Sequence, residues 1–567
     1  MNSALFLALR RLRFPIILLI AVYTIGMIGL VMIPGVDENG TPWHMSFFDA
    51  FYFMSYTAST IGFGEIPRPF SYPQRLWVTF IIYLSVIGWA YAIARVLGLL
   101  QDRGFQHTLV QQRFGREVRR LREPFYLVCG FGETGMLVCR ALDRMNVRFV
   151  VIDLREDRVA EVDLQEFQTD TPAFAADARF PANLALAGLE HPACKGVLAL
   201  TSDDSANLAV AMAGKLLHPG VPIICRAMNK SVADNMASFG TDHIINPFET
   251  FADYLSLAIN SPGKHRLVDL LVGEPGQRFR PAPLPPRGHW VGSGYGRFGR
   301  EVVACLDREG LDVSIIDPAP ALPGRRYVSG MGTEPEPLRQ AGIEQAVGIV
   351  AGTDNDVNNL SIAVTARQLN PRLFVIVRQN LQANRALFDA YDAQLNMVPS
   401  QLIADRCVAL LGTPLLARFL MLARAQNDGW AEDLAGRLEA LLPGRVPALW
   451  DVRLDLDEAP AVYRALTDRD SEVRVGTLLR DPAARAEPLN ALPLMLSRAR
   501  EPQLLPAREL RVRAGDRLLF AGSVAARSAQ RTLLQNVNVF DYVHRGREIP
   551  GGWIWETITR QRKARRS

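Results

Sequence analysis

The chain is short of cysteine, and none of what it has sits in a close pair. The six, Cys129, Cys139, Cys194, Cys225, Cys305 and Cys407, form no Cys-x-x-Cys spacing and no Cys/His cluster, which excludes a zinc site of the usual kind. Several lie in apolar, strand-like runs, as reduced buried thiols do in a cytoplasmic domain. Charge of one sign is also scarce: 63 Lys+Arg against 58 Asp+Glu leave +5. Much of that excess flanks apolar segments, so the reading includes no nucleic-acid partner. Charge is missing altogether between Arg13 and Asp37 and between Arg75 and Arg95. A bilayer core takes about 20 apolar residues, so both runs are long enough to span it. Neither contains a row of arginines, which removes the usual carrier of voltage sensing. The first run exceeds the apolar part of a secretory signal, and no small-x-small cleavage site follows it.

What remains is 567 residues, enough for three or four domains, 49% of them apolar. Mean hydropathy is +0.06, a value that fits a small membrane part carrying a large soluble part. Arginines crowd the outer ends of both spans: Arg10, Arg11 and Arg13 before the first, Arg95 to Arg122 after the second. Both termini are therefore expected in the cytoplasm, in a multi-pass protein of the plasma (inner) membrane in contact with lipid. The loop between the spans then faces outward. It holds an aromatic run, Phe47 to Ala58, that reads as a helix, followed at once by Thr60-Ile61-Gly62-Phe63-Gly64-Glu65. Non-helical backbone survives at membrane depth only where protein or a water-filled path covers it. The C-terminal end of a helix carries partial negative charge, which favours a cation there. Gly88, midway along the second span, is either a gating hinge or a close-packing residue.

That loop resembles the potassium-channel signature Thr-x-Gly-(Tyr/Phe)-Gly, with Phe63 where Tyr is commoner and Glu65 where Asp is commoner. The resemblance implies a selectivity filter at Thr60, Ile61, Gly62, Phe63 and Gly64. K⁺, the transported ion, would be held by the carbonyls of Thr60, Ile61, Gly62 and Phe63 with the Thr60 hydroxyl. One loop supplies a quarter of such a ring, so the resemblance also implies a homotetramer. Residues 1–102 form the expected pore part.

A polar, Arg-rich linker, 103–123, leads to the soluble part. There Phe125 to Cys129 reads as a buried strand running into Gly130-Phe131-Gly132-Glu133-Thr134-Gly135. A helical run follows, then a second strand ending at Asp153. Glycines at this spacing permit a tight turn and close approach of a pyrophosphate to a helix N-terminus, and an acid about twenty residues on can hold a ribose hydroxyl. The pattern recurs: Gly130, Gly132, Gly135 and Asp153 map onto Gly294, Gly296, Gly299 and Asp317 at a constant offset of 164. Further on, Thr201, Asn207, Leu208 and Arg226 map onto Thr353, Asn359, Leu360 and Arg378 at an offset of 152, which Pro247 and Pro399 keep. One register over each stretch argues an internal duplication, and each half is expected to close with a similar strand-to-helix exit.

Both halves resemble the RCK domain (regulator of potassium conductance), found also in the regulatory subunits of Trk potassium-uptake systems. The carrying residues are G-F-G-E-T-G with Asp153 and Asp177, A-L-T-S-D-D-S-A-N-L and I-C-R-A-M-N. In the second copy they are G-Y-G-R-F-G, Asp317, G-T-D-N-D-V-N-N-L and V-I-V-R-Q-N. The resemblance implies ligand sites at Gly130, Phe131, Gly132, Glu133, Thr134, Gly135, Asp153, Asp177 and Thr201, and at Gly294, Gly296, Arg297, Gly299 and Asp317. In the second copy Met331 stands at the place of Asp177, and Arg297 is positioned to hold a phosphate. NAD(H), an adenine nucleotide, a cyclic dinucleotide and a divalent cation all remain open as the regulatory ligand.

The expected architecture is thus two transmembrane helices with a re-entrant pore loop, then two α/β Rossmann-like RCK domains, 124–280 and 288–404. The Pro-rich 281–286 separates them. A helical segment and small α+β C-terminal subdomain, 405–535, and a tail, 536–567, complete it. Four chains with two lobes each give an eight-lobed ring. The expected function is a ligand-gated potassium channel and not an enzyme. A membrane-tethered nucleotide-dependent oxidoreductase competes with it, but no acid/base cluster accompanies either glycine turn. A potassium-uptake regulatory subunit is the third reading.

Overall fold

The computed structural model describes residues 3–37, 40–66, 68–273, 275–319, 326–468, 472–499 and 501–546. The basic run Arg560 to Arg566, read above as part of the tail, lies outside them. The chain divides into two units, 1–121 and 122–567.

In the first unit α1 (Ser3–Met32) is followed by a short antiparallel pair, β1 (Gly35–Val36) and β2 (Pro42–Trp43). Then come α2 (Phe47–Ala58), α3 (Tyr72–Leu100) and α4 (Arg103–Arg120). Residues 12–32 and 72–100 are long and apolar enough to cross a membrane. The bent pair Pro399–Gly412 and Pro414–Arg424 also passes that test, but it lies in the second unit and is packed there as described below. α1 and α3 pack closely because α1 offers glycine: a Cβ on Gly29 would lie 2.1 Å from the Trp77 ring. The Trp77 indole N–H donates to the Gly26 carbonyl at 3.3 Å. Gly88 is buried on α3 and faces Val22 and Leu19 of α1 at ordinary contact distance. α2 starts at Ser46, whose hydroxyl accepts the Asp49 N–H. It buries Ala50, Phe53 and Met54 against Leu30 and Ile81.

The second unit opens with β3 (Phe125–Cys129), α5 (Glu133–Arg144), β4 (Arg148–Asp153), α6 (Glu156–Leu164), β5 (Ala173–Ala175) and α7 (Pro181–Leu186). Next are β6 (Cys194–Ala199), α8 (Asp204–Leu217), β7 (Ile223–Arg226), α9 (Lys230–Ser238) and β8 (His243–Ile245). The six strands are parallel in the order β5-β4-β3-β6-β7-β8, a doubly wound Rossmann sheet with its switch point between β3 and β6. Two helices then leave the lobe, α10 (Pro247–Asn260) and α11 (Pro262–Val272).

The second copy repeats this order. It runs β9 (His289–Ser293), α12 (Arg297–Arg308), β10 (Asp312–Asp317), β11 (Tyr327–Ser329), α13 (Pro335–Gln340) and β12 (Gly348–Ala351). It continues with α14 (Asp356–Leu369), β13 (Phe374–Arg378), α15 (Arg385–Tyr391) and β14 (Leu395–Met397). The sheet is β11-β10-β9-β12-β13-β14, and the exit helices are α16 (Pro399–Gly412) and α17 (Pro414–Arg424). Proline occupies the first turn of all four exit helices, where its missing N–H costs nothing.

The exit helices are exchanged. α10, from the first copy, buries Phe248, Phe251 and Leu255 against Trp290, Phe298 and Val302 of the second. α16, from the second copy, buries Ile403, Ala404 and Cys407 against Val128, Val138 and Leu142 of the first. Each lobe is completed by a helix of the other, so the packed units do not follow the sequence boundaries near 280 and 404. α11 and α17 join α18 (Asp428–Leu441) in a further core. After α18 comes an antiparallel sheet β15-β18-β16-β17, made of β15 (Ala448–Arg453), β16 (Ala491–Arg498), β17 (Glu501–Leu504) and β18 (Arg517–Gly522). Helices α19 (Pro460–Thr467), α20 (Val475–Leu478), α21 (Val524–Gln535) and α22 (Val537–Arg545) accompany it.

The exchange can be tested by hydrogen exchange. Phe248 is 1% exposed, and its truncation to Ala is expected to cost about 3–5 kcal/mol. In Phe248→Ala, amide protection should fall in β9 and β10 while β3 and β4 stay protected. The opposite pattern would mean that α10 serves its own lobe.

Candidate functional site

At the end of α2 the backbone changes character. Thr60, Gly62 and Gly64 have φ of +63°, +63° and +76°, while Ile61 and Phe63 do not have positive φ. Thr60 closes the helix in the left-handed conformation usually given to glycine. A β-branched residue held there costs of order 1–3 kcal/mol, and such strain clusters at functional sites. Three N–H donors hold the turn: Thr60 to Thr57 O at 3.0 Å, Ile61 to Tyr56 O at 3.0 Å, and Gly62 to Tyr56 O at 3.3 Å. Its far end is tied by Glu65. Tyr52 Oη donates to the Glu65 carboxylate at 2.9 Å, and Tyr56 Oη to the Glu65 carbonyl at 3.0 Å.

The two glycine turns have the same construction. Gly130 has φ +101° and Gly294 +94°, and a Cβ on either would press on the strand-end loop at Thr201 or Thr353. A Cβ on Gly135 would fall 2.0 Å from the Gly130 carbonyl oxygen, and one on Gly299 would fall 1.9 Å from that of Gly294. Both acids fasten their turn. Asp153 accepts N–H bonds from Phe131 (2.7 Å) and Arg155 (2.9 Å), Asp317 from Tyr295 (2.6 Å) and Ala319 (2.9 Å). A carboxylate has about four acceptor positions, so each acid keeps capacity for a ligand hydroxyl. The Thr201 hydroxyl donates to Asn207 at 2.8 Å, and Asn207 donates on to the Thr201 and Arg226 carbonyls. Thr353, Asn359 and Arg378 repeat this net.

The first cleft has a volume of about 430 Å³ and brings together Gly130, Gly132, Glu133, Thr134, Asp153, Asp177 and Thr201. Phe131 and Gly135 do not line it: Phe131 is buried in the core, and Gly135 packs on the turn. The Arg179 guanidinium holds the Asp177 carboxyl below its ordinary value through their hydrogen bond. The second cleft, about 260 Å³, contains Gly294, Gly296 and Asp317 but not Arg297 or Gly299, and Met331 does stand where the first has Asp177. Arg297 lies close enough to Arg226 and Arg378 for its charge to disfavour their protonated forms.

Several lining residues were not singled out in the sequence. Arg155, Arg158, Arg179 and Arg226 line the first cleft from its own lobe, and Arg378, Asn380 and Ser400 from the other copy. The Gln382 N–H donates to Glu133 Oε1 at 3.1 Å across the same junction. Arg226 and Arg378 were legible as repeat landmarks, but nothing local marked Asn380 or Ser400. Burial pushes the Arg226 guanidinium down. Its Nε and the Thr134 hydroxyl are buried without a partner. Orphaned donors beside an open Gly132 and the N-terminus of α5 fit a phosphate-bearing ligand. Among the described residues no group of three or more His, Cys, Asp or Glu could hold a metal ion.

The fold and these sites define a membrane protein with a pore-type segment and a tandem of dinucleotide-fold regulatory lobes. Residues 17–102 match the ion-channel family model, and 126–247 and 293–399 match the TrkA-N domain model. The chain thus carries an ion-channel domain followed by two TrkA-N domains, and its homologues include prokaryotic potassium channels. Potassium channel protein 1 of Methanocaldococcus jannaschii is 25% identical over 42% of this chain and 67% of its own length. The voltage-gated potassium channel Kch of Escherichia coli is 25% identical over 42% of this chain and 55% of its own. The chain spans between 34% and 67% of the length of the first three curated relatives it matches. The GsuK channel bound to NAD matches 96% of this chain and 100% of its own at 17% identity and a TM-score of 0.44. The two named relatives are potassium channels by their descriptions.

Gly135→Ala tests the turn directly. Forcing a Cβ against the Gly130 carbonyl should destabilise the soluble unit by about 1–3 kcal/mol, the range for overpacking. A lower thermal midpoint is the expected result, and Gly132→Ala, with nothing within 4 Å of the new Cβ, should leave that midpoint unchanged.

Proposed function

We propose that this chain is the subunit of a homotetrameric, ligand-gated potassium channel of the plasma (inner) membrane, with both termini in the cytoplasm. Thr60, Ile61, Gly62, Phe63 and Gly64 form the filter, and their carbonyls replace the hydration shell of K⁺. The observation that carries this reading is the alternation of φ at Thr60, Gly62 and Gly64. A backbone whose φ changes sign at successive residues can turn successive carbonyls to one side. It does so at the C-terminal end of a short helix flanked by two helices of spanning length.

NAD(H) or an adenine nucleotide is the regulatory ligand of the first cleft. The ribose binds at Asp153 and the phosphates lie over Gly130, Gly132 and Thr134 beside Arg226. Because Arg378, Asn380 and Ser400 come from the second copy, a bound ligand favours one angle between the lobes. That preference passes through the linker, 103–123, to α3. Moving a gate from 1:99 to 99:1 takes about 5.5 kcal/mol of differential binding. Four first-copy sites would each supply about 1.4 kcal/mol, a modest demand on any one of them.

Two variants separate filter from cleft. Gly62→Ala places a side chain on a left-handed backbone position and should abolish K⁺ flux in liposomes while the tetramer still elutes intact. Undiminished K⁺ current would contradict the filter. Asp153→Ala should weaken binding of NAD(H) or an adenine nucleotide to the full-length protein by about 10–100-fold, as expected for loss of a charge-assisted hydrogen bond. Unchanged affinity for every nucleotide tried would leave the first cleft as scaffold.

A further inference from the structure

A second cavity lies away from both glycine turns. It has a volume of about 590 Å³ and is walled by α10 and α11 of the first copy and by β14, α16 and α17 of the second. Its surface is mostly apolar, and it opens to solvent beside Val272 and Met421. The size is that of a pocket for a drug-sized molecule.

The polar groups on its walls are nearly all committed. Tyr254 Oη donates to Asp269 Oδ1 at 2.9 Å, and the Asp269 carboxyl, pushed up by burial, also faces His265. Gln401 donates to Asp405 at 2.8 Å, and Arg424 pairs with Asp253 at 3.2 Å. Arg406 is the exception. It lines the cavity, and burial pushes its guanidinium down. It has no hydrogen-bond or ion-pair partner among the described residues, with Arg424, Asp253 and His243 reaching it only through space. A partly buried guanidinium with no protein partner, its nitrogens still open to solvent at the wall of an apolar cavity, suits an anion that brings an apolar body with it.

We propose that this cavity binds a small amphipathic acid, its anionic head on Arg406 and its apolar body against Phe251, Leu402, Leu420 and Met421. The walls belong to both copies, so such a ligand acts as a wedge that fixes the interlobe angle at which the chamber is open. This is a regulatory site separate from the glycine-turn clefts, and it does not depend on what those bind.

The test uses the full-length protein in detergent and isothermal titration with 2-naphthoate, alongside 2-naphthylmethanol as a neutral body of the same shape. Wild type should bind one naphthoate per chain saturably and at least tenfold more tightly than the alcohol. Arg406→Gln should remove that preference for the acid. Met421→Trp, which fills the chamber from an exposed position (63%) without touching a core contact, should abolish binding of both while the thermal midpoint is kept. Absence of saturable binding to wild type would overturn the proposal. So would equal affinity for acid and alcohol, or naphthoate binding that survives Met421→Trp.

Discussion

The exchange of exit helices is the contact on which the soluble half depends. A doubly wound sheet needs helices on both faces, and each lobe of this chain lacks one of its own. Phe248 and Phe251 fill that gap in the second lobe, with ring centroids 5.7 and 5.6 Å from Phe298. Cys407 and Ile403 fill it in the first. Neither lobe can therefore turn freely against the other without dragging a helix out of an apolar core. Motion between them is restricted to small adjustments about α10 and α16, which is the kind of bistable interface that ligand binding can bias.

The same exchange makes two copies of one fold inequivalent. Glu133 and Arg297 occupy the same place in their turns, one acidic and one basic. Glu133 accepts an N–H from Gln382 of the other copy. Arg297 instead meets Arg226 and Arg378, whose guanidinium groups are already disfavoured by burial. Arg378 is relieved by Asp354 at 2.6 Å and by the face of Phe248, 5.0 Å from the ring centroid. Arg226 has no comparable carboxylate at hydrogen-bond distance, and its Nε is left bare. Both arginines line the first cleft, and the Nε of each is buried without a partner, so that cleft holds cationic donors that the second does not, and it is also the roomier of the two.

What was legible in the sequence was local. The glycine turns, Asp153 and Asp317 could be read because tight turns and helix N-termini impose spacing within some twenty residues. The turn at Thr60 to Glu65 could be placed because its glycines follow the aromatic helix directly, and left-handed φ falls on Thr60, Gly62 and Gly64. The copy-to-copy register could be read from constant offsets on either side of a short deletion, and Met331 lines the second cleft where Asp177 lines the first. The exchange of α10 and α16 could not. Their apolar periodicity marks a buried face but not the sheet that buries it, and two duplicated sheets offer nearly the same surface. Asn380 and Ser400 were hidden for that reason, since they reach the first cleft only because the copies interlock. Arg406 was hidden too, because an arginine on an amphipathic helix reads as solvated until its partners are found missing.

In the membrane unit the argument turns on exposure. Ile61 and Phe63 are 61% and 64% exposed in the single chain, and a Cβ on Gly62 or Gly64 would meet nothing within 4 Å. The left-handed backbone at Thr60 adds strain to a segment that has little packing of its own beyond Tyr56 and Glu65. Apolar side chains left open on a strained turn are stabilised only when further surface closes over them. On the proposed fourfold assembly the neighbouring copies supply that surface. The geometry that strains one chain is then the geometry that four chains hold in common, and the carbonyls it aligns become useful only once the ring is shut.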